Sequence, residues 1–230
     1  MYFQHAPEIW RDFPELVPGV VVARGITNDA DVTAVVARYQ AVADERLATT
    51  EVGAFPEIQA WRRAFARMGL KPTQYRCASE ALLRRYSKEG SLPSIHPLID
   101  ACNAISLAFA IPVAVFDLAG IDGGLAVRYA TGDETSLSFA GEIERPGVGE
   151  VIFADAANLV HARRWSNRQT AHSAVRDTTT GVLIVTEAMH EGAGDDMHRL
   201  TAGLDAVLRD CWATAPLVAM PDAAAPRVAF

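Results

Sequence analysis

The hydrophobic period of this chain changes partway along, and that change limits the folds open to it. Val32, Val35, Val36, Tyr39, Val42 and Leu47 recur at helical spacing and predict a helix over about 29–48. Asn28 or Asp29 offers an oxygen to cap its free backbone N–H groups. A second helix opens at Pro56, carries Ile58, Trp61, Phe65 and Met68 on one face and stops at Gly69. Residues 75–87 read as a third helix, and His96-Pro97 opens a fourth that runs to about Phe109. Beyond it the apolar runs shorten. Segments 112–116, 125–129, 135–139, 150–154, 159–162 and 182–186 read as strands parted by glycine-rich turns. A buried strand at Val20–Ala23 precedes the helices and a last helix, about 196–213, follows the strands. The tail from Pro216 shows no period and is expected to fray. Helices and strands segregated in this way predict one α+β domain, a mixed or antiparallel β-sheet packed by helices. With 230 residues, no internal repeat and no linker, a single domain over 1–230 is the expectation.

Composition removes several function classes. Half the residues are apolar and 21% are charged, which excludes a disordered tail. No apolar run approaches the ~18–20 residues of a membrane span, and the N-terminus lacks a signal pattern, so a cytoplasmic protein without membrane contact is expected. Cys77, Cys102 and Cys211 are too few and too scattered for a disulfide framework or a structural zinc site. Six scattered histidines predict no metal, and the absence of phosphate-loop, dinucleotide and nucleophile-elbow motifs predicts no cofactor.

A net charge of −7 argues against blanket coating of nucleic acid, and DNA is not an expected partner. The charge is unevenly spread, however. Residues 57–105 carry 8 basic and 4 acidic side chains, and residues 161–176 carry 4 basic and no acidic ones. Arg62, Arg63, Arg67, Arg84, Arg85 and Lys88 in the first stretch, with Arg163 and Arg168 in the second, are candidates for contact with nucleic-acid phosphates. The loop Arg163-Arg164-Trp165-Ser166-Asn167-Arg168-Gln169 combines guanidiniums, an indole and amides, a set that can hold a polar or cyclic ligand. Glu187 ends a central apolar run, where a carboxylate either meets solvent or sits in a pocket with a donor.

Three ordered segments carry a family likeness. Tyr75–Arg85, Leu92–Asn103 and Pro112–Asp117, followed by the Arg-Arg-Trp-x-x-Arg-Gln loop at 163–169, resemble the B3/B4 domain. That is the editing domain of the bacterial phenylalanyl-tRNA synthetase beta subunit, and the likeness is closer to free-standing proteins built from it. It covers a core of about 70–190, leaving a strand–helix–helix extension at 1–69 and a helix and tail at 191–230. The resemblance implies the B3/B4 fold and a pocket that accepts tyrosine wrongly esterified to the phenylalanine tRNA and hydrolyses the ester by orienting water. It implies substrate contacts from Glu187, which falls on the glutamate that reads a hydroxyl, and from Asn103, Phe116 and Asp117. Arg164 and Trp165 join them as substrate-binding candidates from the loop. Two departures touch the chemistry: the family strand carries a histidine where this chain has Ala114, and the family's glycine-rich loop near the pocket is replaced by the Arg-Arg-Trp loop. A methyl cannot move a proton, so Asn167, Gln169 and His161 are the candidates to position the water.

Three functions stay open at this point. The first is a deacylase acting in trans on mischarged aminoacyl-tRNA, with the tRNA 3′ end as partner. The second is a non-catalytic module that binds an amino acid, an aminoacyl end or RNA. The third is a hydrolase of a non-tRNA amino-acid ester or amide. The chain carries no sign of being an aminoacyl-tRNA ligase itself.

Overall fold

Every side chain of the eight-residue strand β10 (Gly181–Ala188) is buried, so this strand must be covered on both faces. The computed structural model, which describes residues 1–230, shows how. On one side β10 pairs antiparallel with β2 (Val17–Arg24), setting Val185 opposite Val20 and Leu183 opposite Val22. On its other side it pairs antiparallel with β3 (Val113–Asp117), setting Leu183 opposite Phe116. The short β11 (Leu217–Ala219) adds to the free edge of β2 and completes a four-stranded sheet.

Because strand side chains alternate between faces, this sheet separates two cores. Val182, Ile184 and Ala188 belong to a core shared with two helices, α5 (Pro97–Phe109) and α6 (Ala193–Trp212). Gly19 of β2 lets α6 lie directly on the strand. A Cβ there would meet Thr201 Cγ2 at 2.6 Å and Met197 Sδ at 2.7 Å. The long helix α2 (Thr33–Leu47) packs against α5 from outside.

Leu183 and Val185 face the other core, and so does Glu187 by the same alternation. Across that core lies a larger mixed sheet. Its strands are β1 (Tyr2–His5), β4 (Leu125–Tyr129), β5 (Thr135–Leu137), β6 (Ile143–Glu144), β7 (Val151–Asp155), β8 (Leu159–Arg163), β9 (Arg168–Gln169) and β12 (Arg227–Ala229). Their order is β12-β1-β4-β7-β8-β5-β6, with β9 hung on β8. Helices α1 (Pro7–Asp12), α3 (Pro56–Arg67) and α4 (Ala78–Glu89) contribute Ile9, Ile58, Trp61, Phe65, Leu83 and Tyr86 to the same core. The architecture is α+β, with helices, an antiparallel sheet and a mixed sheet in layers. No helix is long and apolar enough to cross a membrane.

Local chemistry explains the element ends. His96 caps α5: its Nδ1 accepts from the Leu98 N–H at 3.1 Å, and Pro97 takes the first turn. Burial lowers the His96 pKa, which keeps the imidazole an acceptor. Gly90 ends α4 at φ 74. The expected helices and six expected strands of the second half are present within a few residues of their predicted bounds. The tail corrects the expectation of fraying, since β11 and β12 pair there with β2 and β1. Strand β1 and helix α1 were not anticipated.

Candidate functional site

Glu187 is the polar exception in the core between the sheets. Its carboxylate is buried and doubly held through one oxygen. Oε1 accepts from Trp165 Nε1 at 2.9 Å and contacts His5 Nε2 at 2.7 Å. Since a carboxylate oxygen only accepts, Nε2 is the protonated ring nitrogen of His5. The backbone oxygen of Glu187 takes a further bond from Trp61 Nε1 at 3.3 Å. No protein group bonds Oε2, and Glu187 lines the cavity beside it. Oε2 is therefore the oxygen that Glu187 offers to the adjoining cavity.

That cavity has a volume of about 80 Å³. Its apolar walls include Ala114, Phe153, Val185 and Trp165, and its polar lining comes from Ser166, Asn167, Gln169 and Glu187. For scale, a cavity of ~150 Å³ holds benzene and a water molecule occupies ~30 Å³. In this conformation the space suits a short side chain or a few waters, and is too small for an aromatic ring. The amide nitrogens are already engaged, Asn167 Nδ2 with the Arg76 oxygen at 2.8 Å and Gln169 Nε2 with the Val115 oxygen at 2.7 Å. Ser166 Oγ is sealed from solvent and has no partner. The lining is thus rich in acceptors and fits a ligand that donates hydrogen bonds.

The loop that delivers this lining is held in an unusual conformation. Arg164 and Trp165 both sit in the left-handed region, at φ 48 and φ 58, where non-glycine residues are strained by roughly 1–2 kcal/mol each. Several contacts hold them there. The Arg163 guanidinium pairs with Glu150 at 2.8 Å and Glu144 at 2.6 Å. The Arg164 N–H bonds Glu150 Oε1 at 3.1 Å, and its guanidinium lies 4.9 Å from the Tyr75 ring centre. Burial would raise the Glu150 carboxyl, but Arg163 outweighs it and lowers its pKa. The Trp165 ring packs edge-on against Phe13 at 4.7 Å and Trp61 at 5.2 Å.

Several sequence expectations are corrected by this geometry. Trp165 is a sealed wall and a clamp on Glu187, not an exposed stacking platform. Phe116 is buried between Phe153 and His161, outside the cavity lining. Asp117 caps a short turn through the Ala119 N–H and accepts from Thr179, so it is spent on structure. Asn103 lines a different cleft, between α2 and α5. His161 is fully buried, bonded through Nδ1 to Ser173 Oγ at 2.8 Å and 3.2 Å from Asp155 Oδ2. Its pKa is lowered by burial, against the pull of Asp155. Serine, histidine and aspartate meet there sealed from solvent, and Asp155 is occupied by three backbone N–H groups. Asn167 and Gln169, in contrast, do line the Glu187 cavity.

The basic stretches are largely neutralised from within. Glu80, fully buried on α4, accepts from Arg62 at 2.6 Å and Arg84 at 2.9 Å. Arg67 pairs with Glu15, Arg85 with Glu89 and Arg168 with Glu144. Arg63 and Lys88 are exposed and make no ion pair. Arg62, Arg84 and Lys88 nonetheless line an open cleft of about 900 Å³. Ala78, at the start of α4, lines the Glu187 cavity. Arg84 lies six residues along, ~9 Å at the helical rise. One helix therefore runs from the cavity rim to the basic cleft.

Sequence reasoning missed His5, Trp61 and Ser166. The signal for His5 was present, since Phe3 and His5 alternate with half-buried Tyr2 and Gln4, but four residues are too few to set a period.

The family model of the B3/4 domain matches residues 60–199. The phenylalanine–tRNA ligase beta subunit of Shewanella oneidensis is 28% identical over 116 residues, which covers 50% of this chain and 14% of that protein. The corresponding subunit of Aliivibrio fischeri is 27% identical over 139 residues, covering 60% of this chain and 17% of that protein. The chain therefore spans a small part of the length of these relatives. A crystal structure of an N-terminal fragment of the phenylalanyl-tRNA synthetase beta subunit from Pyrococcus horikoshii aligns with 96% of this chain and 54% of that one. The TM-score is 0.49 at 9% identity. With more than half of its residues matched by the family model, the chain belongs to the B3/4 domain family.

Proposed function

We propose that this chain binds the aminoacylated 3′ end of tRNA and hydrolyses a mischarged ester in trans, with a short hydroxylated amino acid, serine or threonine, in the Glu187 cavity. The observation that carries the proposal is the state of Glu187. His5 and Trp165 fix one oxygen and leave the other facing a cavity of about 80 Å³. A fixed acceptor in a small apolar space favours a short side chain that donates a hydrogen bond. An apolar side chain would leave that acceptor unpaired, a cost of ~1–3 kcal/mol.

Hydrolysis adds the oxygen of a water to the ester carbonyl carbon. The bond to the ribose oxygen breaks and the ribose oxygen receives the proton. The cavity supplies no side-chain nucleophile. Asn167 and Gln169 border the place where a water would be oriented, and the cleft lined by Arg62, Arg84 and Lys88 keeps a positive excess beside Glu80, with Lys88 unpaired, to meet the tRNA backbone. A cytoplasmic location accords with a tRNA partner.

The test is a panel of tRNAs charged with serine, threonine, alanine and tyrosine, followed by measurement of released amino acid. Release above the spontaneous rate for the hydroxylated short residues, at least tenfold slower for Glu187→Gln, supports the reading. No release for any member, even with protein in excess, refutes it. Ala114 in the cavity wall, with His161 sealed away from it, favours one second reading, a module that holds the aminoacyl end without turnover. Saturable binding without release would identify that case.

A further inference from the structure

A second cluster of chemically capable side chains lies just beyond the C-terminal end of β10, where the strand has left the sheet. Glu57 at the start of α3, His190 just after β10 and Asp196 in the first turns of α6 bring one ligand atom each to within 4.8 Å of one another. Ligands on one ion at ~2.0–2.2 Å are at most ~4.4 Å apart, so small side-chain shifts would close the set.

Two of these side chains are buried with a polar atom unspent. The Glu57 side chain is 8% exposed and its Oε2 has no partner; the His190 side chain is 4% exposed and its Nδ1 has none. Two buried unpartnered polar atoms are costly unless something satisfies both. The remaining atoms are already tethered in the manner of outer-shell support. Arg46 holds Glu57 Oε1 at 2.7 Å and is itself fixed by the Ala108 oxygen at 2.9 Å. Arg199 holds Asp196 Oδ1, while His190 Nε2 meets Asp196 Oδ2 at 2.8 Å, a contact between two of the ligands that must open for both to hold one ion. A cleft of about 370 Å³, lined by Arg46, Glu57, Asp196 and Arg199 among others, opens onto the cluster and gives a path for entry.

We propose that Glu57, His190 and Asp196 bind a first-row divalent cation of the zinc class. The donor set selects the class. Arg46 and Arg199 offset the charge of the two carboxylates, so the site attracts an ion by donor strength more than by net charge. An imidazole nitrogen beside carboxylate oxygens suits zinc, whereas magnesium and calcium take all-oxygen sites. This site does not depend on what the Glu187 cavity binds.

The purified full chain, stripped with a chelator, is titrated with zinc chloride by calorimetry and thermal unfolding. One zinc per chain and a rise in Tm are expected. Glu57→Gln and Asp196→Asn, each close in shape to the original, should each weaken binding at least tenfold. Because His190 and Glu57 are buried, the wild-type titration stands by itself if a variant fails to fold. Cobalt supplies a spectroscopic check, since a site of one imidazole and two carboxylates gives visible bands without a thiolate charge-transfer band. Absence of saturable zinc binding by the wild-type chain overturns the proposal. So does unchanged affinity in both folded variants, or a thiolate band that places the ion at Cys211.

Discussion

Replacing Trp165 with phenylalanine isolates the clamp on Glu187. The indole N–H donates to Oε1 at 2.9 Å, and phenylalanine has nothing to donate. The ring is fully buried, so water cannot take its place. A hydrogen bond to a charged group contributes ~1.5–3 kcal/mol. The smaller ring also leaves roughly 40 Å³ unfilled between Phe13 and Trp61, about 1 kcal/mol at ~24 cal/mol per Å³. Backbone strain cancels, because both residues carry a Cβ at the same positive φ. The expected loss is about 3 kcal/mol, against typical domain stabilities of about 5–15 kcal/mol, so the variant should still fold. Urea unfolding followed by far-UV circular dichroism measures it. The decisive form is a cycle with Glu187→Met and the double variant, in which the cavity term and the unpaired His5 drop out. A coupling energy of about 1.5–3 kcal/mol is expected. Coupling below ~0.5 kcal/mol, the usual additivity error, would mean that Trp165 acts by packing alone and that Glu187 is not fixed as described.

Acid should destabilise the chain in two stages. The His161 pKa is lowered by burial, so the unfolded chain takes up this proton first, and stability present above pH ~6.5 declines below it. Burial would raise the Glu134 carboxyl, but the Thr131 and Gly132 N–H groups and Arg128 outweigh it and hold its pKa at about 2. Its contribution is therefore complete above the ordinary value of 4.5 and drains as pH falls toward 2. Urea midpoints from pH 8 to 3 should fall in both windows; His161→Asn should lessen the upper fall, which His96 shares, and Glu134→Gln the lower, which Glu150 shares, and a flat midpoint from pH 7.5 to 5 contradicts the first stage. The three thiols should differ in reactivity, because burial pushes Cys77 up to about 11 and Cys102 to about 12. An aromatic disulfide reagent at pH 8 should titrate Cys211 alone in the native chain and all three thiols in denaturant, whereas two fast native thiols would contradict the burial of Cys77 or Cys102.

The long elements were legible because their periods are long enough to read. Helices α2 to α6 span 12 to 20 residues each, and their apolar stripes recur several times. Strand β10 showed itself as an unbroken apolar run ending in a carboxylate. The short edge strands were not legible. Strands β1, β11 and β12 have three or four residues, and what orders them is a partner supplied from far along the chain. The site suffered for the same reason. Glu187, Asn167 and Gln169 could be singled out by the company they keep in sequence, but His5 could not, because its role is set by a strand that neighbours it only in space. Charge misled in the opposite direction. Arg62 and Arg84 looked like free cations until the buried Glu80 accounted for both.

The pairing of His5 with Glu187 also has a timing. The two residues stand 182 positions apart, and chains grow at ~5–20 residues per second. On the ribosome the imidazole therefore emerges roughly 10–40 s before its carboxylate exists. Strand β4, which pairs with β1, and Phe153, which packs on Phe3, are made before Glu187, whereas β12 on the other edge of β1 is made last. The imidazole must wait for β10 to find its carboxylate, and the outer edge of β1 must wait longer still, for β12.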